Sequence, residues 1–129
     1  MVEGDWNAAS GERGLHQLLA QNTDLDAVFA SNDQMALGVL YAIHQLKRRV
    51  PDDLAVVGVD NIPESAHFWP PLTTIRQRLQ EAGAQAVLEL DQIIQAAKRP
   101  STQADSTIPN VTLLEPELII RESSRPVAT

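Results

Sequence analysis

Two pairs of neighbouring polar residues, each a carboxylate beside an amide, follow short apolar runs in the sequence. Asp60-Asn61 come directly after the apolar run 54–59, which is rich in β-branched residues, and Asn32-Asp33 close a second run. Such runs predict strands buried on both faces, as in the centre of a parallel sheet. Ligands of open α/β sheets bind outside the carboxyl ends of the strands. The polar strand ends are therefore well placed to meet a ligand, with Asp60 and Asn32 as the candidate contacts.

Each of these residues also has a simpler structural interpretation. A loop-start aspartate such as Asp60 can hydrogen-bond its own backbone. Asn32 can cap the helix that follows it, although Ser31 could supply that cap instead. Asp33 is expected to stabilise a helix N-terminus through its charge rather than to contact a ligand.

Alternating helix and strand patterns supply the elements that position these residues. Helices are predicted from an Asp5 or Asn7 cap to about residue 21, from 33 to 48 before Pro51, and from 77 to 97. Strands are predicted at 26–31, 54–59 and 72–75, with two further β-prone segments at 111–114 and 117–121. A polar loop at 98–110 precedes those segments, and the tail is expected to fray. This order predicts an α/β fold with a mostly parallel sheet.

The second predicted helix is apolar on two faces. One stripe is expected to face the core and consists of Met35, Val39, Ile43 and Leu46. The other stripe consists of Leu37, Leu40, Tyr41 and His44. A helix of this kind is either deeply buried or shared with a partner. An aromatic loop, Phe68-Trp69, precedes two prolines and adds to the surface that a partner could cover.

Composition excludes several classes of function. The chain has 10 basic and 17 acidic residues and a net charge of −7, which argues against direct nucleic-acid binding. It has no cysteine, and no apolar run approaches the length of a membrane span. His16, His44 and His67 are not spaced as a metal set, and no nucleophile stands beside a credible base. The sequence therefore predicts a protein that is not an enzyme and uses no metal or cofactor.

Several segments together resemble the lactose/galactose-repressor family of bacterial transcription regulators. They are Gly4-Asp5-Trp6, FASNDQMALG at 29–38, VGVDNIP at 57–63, PPLTTI at 70–75 and ELIIRESS at 117–124. The resemblance runs from about residue 2 to residue 124. It implies a periplasmic-binding-protein-like (Rossmann-like) lobe with helices on both faces of the sheet. Full-length members carry a DNA-binding headpiece and two lobes that enclose a sugar or small metabolite, of which this chain resembles the last part.

The resemblance also implies a division of the chain and roles for particular residues. Residues 1–76 would belong to the C-terminal lobe, 77–110 to a lobe-crossing helix and loop, and 111–129 to closing strands and a tail. The implied ligand-binding residues are Trp6, Asn32, Asp60, Gln77 and Leu79, the last at a position where many relatives have an aromatic residue. The implied homodimer surface comprises Leu37, Tyr41, Phe68 and Trp69. Core packing is the alternative for Trp6 and for the dimer residues.

The leading interpretation is a cytoplasmic repressor that binds a small effector, forms a homodimer and reaches DNA only through a headpiece outside this chain. A periplasmic sugar-binding protein is the alternative, and a hydrolase that uses Asp60 is a distant third. With much of the first lobe outside the chain, the helix at 77–97 would lack its usual cover. We therefore expect the chain alone to self-associate or rearrange that helix, and to bind sugars weakly.

Overall fold

The computed structural model describes residues 1–98 and 111–124, which form two compact units. One unit comprises Met1–Gln77 with 117–124, and the other comprises 78–98 with 111–116. The helices are α1 (Ala8–Gln21), α2 (Asp33–Gln45) and α3 (Leu79–Ala97), with short 3-10 helices at Pro63–His67 and Glu122–Ser124. The strands are β1 (Ala27–Phe29), β2 (Ala55–Val59), β3 (Thr73–Arg76) and β4 (Glu117–Ile119).

The first unit contains a sheet in which the described strands lie in the order β1-β2-β3-β4. The first three strands are parallel, with Val28 opposite Val56 and Gly58 opposite Thr74, and β4 runs antiparallel to β3. The predicted α/β fold with a mostly parallel sheet is confirmed. Strand β4 begins immediately after Pro116, as expected for an edge strand that follows a bend.

The core of this unit lies between α2 and the sheet, and α1 packs on α2. The buried apolar residues are Leu15, Val28, Ala30, Ala36, Val39, Leu40, Ala42, Ile43, Leu54, Val56 and Leu72. Of the predicted core stripe, Val39 and Ile43 are buried, whereas Leu46 is exposed because it lies beyond the end of α2. Leu40 is buried too, which leaves Leu37 and Tyr41 as exposed apolar residues of the second stripe.

Helix α2 ends about three residues earlier than predicted, at Gln45 rather than at Arg48. Lys47 adopts a left-handed φ of 55°, and its N–H donates to the carbonyl of His44. The N–H of Arg48 then donates to the carbonyl of Ile43. This pair of bonds is a Schellman ending, which satisfies the last carbonyls of the helix before proline is reached.

The second unit contains α3, and none of the side chains along this helix is buried. Large apolar residues such as Leu90 and Ile93 are exposed there. The predicted strand at 111–114 is wrong, because these residues form no described strand. The predicted loop lies, apart from Lys98, outside the described residues, as does most of the predicted tail. No helix in the described ranges is long and apolar enough to cross a membrane.

Helices α1 and α2 cross at very short range because each carries a glycine at the crossing. A Cβ added to Gly38 would lie 1.7 Å from the backbone oxygen of Ala8. One added to Gly11 would lie 2.0 Å from the backbone oxygen of Met35. Because both obstacles are backbone atoms, a side chain at either position would push the helices apart. The crossing matters for the site because α1 is preceded directly by Trp6 and Asn7.

We predict that Gly38→Ala destabilises the chain by about 1–3 kcal/mol through overpacking, despite the better helix propensity of alanine. Urea denaturation would measure the change in the free energy of unfolding. Gly14→Ala is the matched control, because a Cβ there would meet only a Val2 methyl group at 3.8 Å. It should be neutral or stabilising by up to about 1 kcal/mol. Equal stability of the two variants would contradict the close crossing.

Candidate functional site

The carboxyl edge of the parallel strands brings Asp60 and Gln77 together. Asp60 is the first residue after β2 and Gln77 is the first after β3. The amide Nε2 of Gln77 donates to Oδ1 of Asp60 at 3.0 Å, and both residues are exposed. A carboxylate acceptor and an amide donor are thus held side by side at the solvent-facing edge of the sheet. Adjacent hydroxyl groups of a ligand would find complementary partners there.

The backbone that carries Asp60 is strained. Asp60 and Asn61 have φ values of 110° and 52°, so both occupy the left-handed region that non-glycine residues rarely adopt. The N–H of Asp60 donates to the carbonyl of Ile75 at 2.8 Å. The N–H of Asn61 donates to the hydroxyl of Thr74 at 3.3 Å. The neighbouring strand β3 therefore fixes the first two residues of this turn.

Beneath this turn lies the fully buried carboxylate of Asp33, in the first turn of α2. Its Oδ1 accepts from the hydroxyl of Thr74 at 2.5 Å, and its Oδ2 accepts from the N–H of Ile62 at 2.9 Å. A Cβ on Gly58 would come within 2.4 Å of Oδ1, so only glycine leaves room for this carboxylate. Asp33 lies in the first turn of α2, as expected, and its two carboxylate oxygens bind β3 and the loop that follows β2.

From the other side, the loop is held by the half-buried guanidinium of Arg121. Its Nη2 donates to Oδ1 of Asn61 at 2.7 Å. Its Nη1 donates to the carbonyl of Leu72 at 2.6 Å and to the hydroxyl of Ser65 at 3.2 Å. The sequence assigned Arg121 no individual role, because its partners lie 49 to 60 positions away.

The segment that carries Arg121 is itself anchored by buried hydroxyl groups. Fully buried Ser123 donates from Oγ to the carbonyl of Val56 at 2.6 Å and accepts from the N–H of Thr73 at 2.8 Å. The N–H of Arg121 donates to the hydroxyl of Thr73 at 2.8 Å. Every buried side-chain nitrogen and oxygen among the described residues has a hydrogen-bond partner. The C-terminal segment is therefore a fixed support for the edge of the sheet.

Asn32 lies at the same edge, and both ends of its amide are already engaged. Its Oδ1 accepts from the N–H of Met35 at 2.8 Å, which is the helix cap considered as the alternative. Its Nδ2 donates to the backbone carbonyl of Trp6 at 2.9 Å. Trp6 adopts a φ of 70° and leaves 67% of its surface exposed. Asn32 thus fixes the backbone of an exposed ring, and its own contact with ligand stays a prediction.

The remaining predicted residues lie elsewhere. Leu79 is the exposed first residue of α3, in the second unit. Leu37 and Tyr41 lie one turn apart on α2, and Tyr41 is 51% exposed. Trp69 is 90% exposed, whereas Phe68 packs against the hydrophobic core. The contacts of Phe68 therefore match the core-packing alternative, while the other three residues remain available to a partner.

The described part of the chain contains no cluster of three or more histidine, aspartate or glutamate side chains that could hold a metal ion. His16, His44 and His67 are all exposed. What the edge offers is a set of hydrogen-bonding groups with an exposed indole. This set suits a ligand with polar edges and an apolar face.

Comparison with known proteins identifies the family. A family model described as periplasmic binding protein-like domain matches residues 2–124. The HTH-type transcriptional repressor PurR of Serratia proteamaculans is 39% identical over 95% of this chain and 34% of its own length. The chain therefore spans about a third of the length of the curated relatives that it matches.

Solved structures give the same result. A Lac repressor dimer bound to operator and the anti-inducer ONPF superposes with a TM-score of 0.80 at 35% identity, over 95% of this chain and 34% of that one. A complex of the transcriptional regulator CelR with cellobiose superposes with a TM-score of 0.76 at 36% identity, over 93% of this chain and 34% of that one. The expected resemblance to lactose/galactose repressors is confirmed, and the chain belongs to the periplasmic binding protein-like domain family.

Proposed function

We propose that this chain forms part of the effector-binding and dimerisation core of a bacterial transcriptional repressor. The effector is a sugar or a similar polar metabolite. The observation that carries this proposal is the Asp60–Gln77 pair at the carboxyl edge of the sheet, on a turn that the protein holds in a strained conformation. Relatives of the chain are named as repressors, and one structural neighbour is a cellobiose complex.

The chemistry of the edge favours a sugar. An ionised Asp60 accepts two hydrogen bonds at once, which matches two adjacent ring hydroxyls, while Gln77 can donate to one of their oxygens. The exposed face of Trp6 can stack on the apolar C–H face of a sugar ring. In the same proposal, Asn32 acts chiefly by holding Trp6, and the role of Leu79 rests on the family resemblance alone. No step of this function requires bond making or breaking, so we propose a binding protein and not an enzyme.

In the proposed mechanism, effector binding is coupled to DNA binding through a homodimer. In this proposal, residues 1–76 contribute part of one lobe, residues 77–98 belong to the crossing between lobes, and strand β4 closes the sheet. Closure on the effector shifts the dimer between two arrangements, only one of which places the DNA-binding headpieces correctly. The dimer surface uses Leu37, Tyr41 and Trp69. Such a protein acts on DNA and therefore works in the cytoplasm.

We predict that Asp60→Asn weakens sugar binding by roughly 10-fold to 150-fold, because it removes a charged acceptor whose bonds contribute ~1.5–3 kcal/mol. Calorimetry on the full-length protein that contains this sequence, with a panel including cellobiose, lactose and galactose, measures the change. Asp24→Asn is the matched control, since Asp24 is an exposed carboxylate in the turn before β1. Equal affinities of wild type and Asp60→Asn for a bound sugar would contradict the assignment.

We predict that Tyr41→Asp weakens the homodimer at least thirtyfold, because it would place a charge in a desolvated interface and remove an aromatic anchor worth about 2 kcal/mol. Trp69→Ala should have a similar effect. Sedimentation velocity of the full-length protein over a range of concentrations measures the dissociation constant. His16→Glu, on the exposed face of α1, should leave it unchanged. An unchanged dissociation constant in both Tyr41→Asp and Trp69→Ala would show that the interface lies elsewhere.

A further inference from the structure

We propose that Arg121 is a positioning residue for ligand binding, acting on Asp60 through Asn61. The inference rests on the proposed function and adds a residue to it. Arg121 does not hydrogen-bond Asp60 in this structure. It holds the neighbouring residue, Asn61, and thereby the direction in which the Asp60 carboxylate points.

The geometry of the guanidinium carries this inference. Arg121 spans three points of the loop between β2 and β3: Asn61 at its start, Ser65 in its 3-10 helix and the carbonyl of Leu72 at its end. A planar fork of donors can serve these acceptors together, whereas a lysine ammonium on a flexible stem is far less preorganised to do so. One side chain thus connects the start, the 3-10 helix and the end of the loop.

The strained backbone explains why the loop needs these hydrogen bonds from Arg121. A left-handed φ at Asp60 and again at Asn61 persists only where the surroundings enforce it. Buried Asp33 and Thr74 hold the amides of Ile62 and Asn61 from below. Among the described residues, Arg121 is the one hydrogen-bond partner of the Asn61 side chain. Without that bond, the turn can relax and swing the Asp60 carboxylate away from Gln77.

Two variants separate this role from general stabilisation. Arg121→Lys keeps the charge but loses the fork. Asn61→Gly keeps a residue that tolerates a left-handed φ and leaves the Arg121 bonds to Leu72 and Ser65 in place. We expect each to weaken sugar binding by the full-length protein at least tenfold, with cellobiose, lactose and galactose as probes. In combination they should weaken it no further than either alone.

Conservative controls complete the binding experiment. Asn61→Asp supplies a carboxylate to the same guanidinium and should keep the affinity within about threefold of wild type. Arg49→Lys replaces an exposed arginine that pairs with Asp53 in the turn before β2, and it should leave the sugar affinity unchanged. Thermal unfolding of Asn61→Gly should stay close to wild type, because only one of the three Arg121 side-chain contacts is removed.

Amide hydrogen exchange gives a readout that does not depend on ligand. In Arg121→Lys and Asn61→Gly, the amides of residues 61 and 62 should exchange about tenfold faster, as expected for the loss of about one hydrogen bond. The amide of Ala55, bonded to Asp26 at the opposite end of β2, should keep its rate. Unchanged exchange rates at residues 61 and 62, or an unchanged sugar affinity where wild type binds, would overturn the proposal. If wild type binds none of the sugars, the proposed sugar effector fails, and the exchange rates alone decide the role of Arg121.

Discussion

The structure of the site depends on one buried carboxylate. Asp33 is fully enclosed, and its two oxygens accept hydrogen bonds from Thr74 on β3 and from the backbone of Ile62. A buried carboxylate is costly unless both oxygens are satisfied, so its partners must keep their places once the chain has folded around it. Helix α2, strand β3 and the loop after β2 are thereby fixed to one another. Gly58 makes the arrangement possible, since any side chain there would fill the space that Asp33 needs.

This constraint explains how an exposed site can be well ordered. Asp33 holds the loop after β2 from inside the unit, while Arg121 holds it from the C-terminal segment. Between these two supports the chain takes the left-handed turn that presents Asp60 to solvent beside Gln77. The same loop continues into the exposed Trp69, so the proposed ligand edge and the proposed dimer surface share one stretch of backbone. A shared, rigid segment of this kind is a physical basis for coupling the two.

The sequence predicted the elements well because their signals are local. Apolar runs and helical periodicity located the core strands and helices, and polar residues after two of those runs marked the edge of the sheet. The interactions that shape the edge were not predictable, because Asp33 meets Thr74 across 41 positions and Arg121 meets Asn61 across 60. The choice between Ser31 and Asn32 as the cap also required the structure, since both residue types can cap a helix. The early end of α2 was missed because Lys47, not glycine, takes the left-handed position.

A double-mutant cycle between Asp33 and Thr74 measures how strongly the buried carboxylate is coupled to strand β3. Asp33→Ala, Thr74→Val and the double variant would be compared with wild type by the free energy of unfolding in urea. Each single variant should cost about 1–3 kcal/mol, because it leaves a buried polar group without its partner. We predict a coupling energy of at least about 1 kcal/mol between the two positions. Additive effects, with a coupling energy below about 0.3 kcal/mol, would show that the edge does not depend on this interaction.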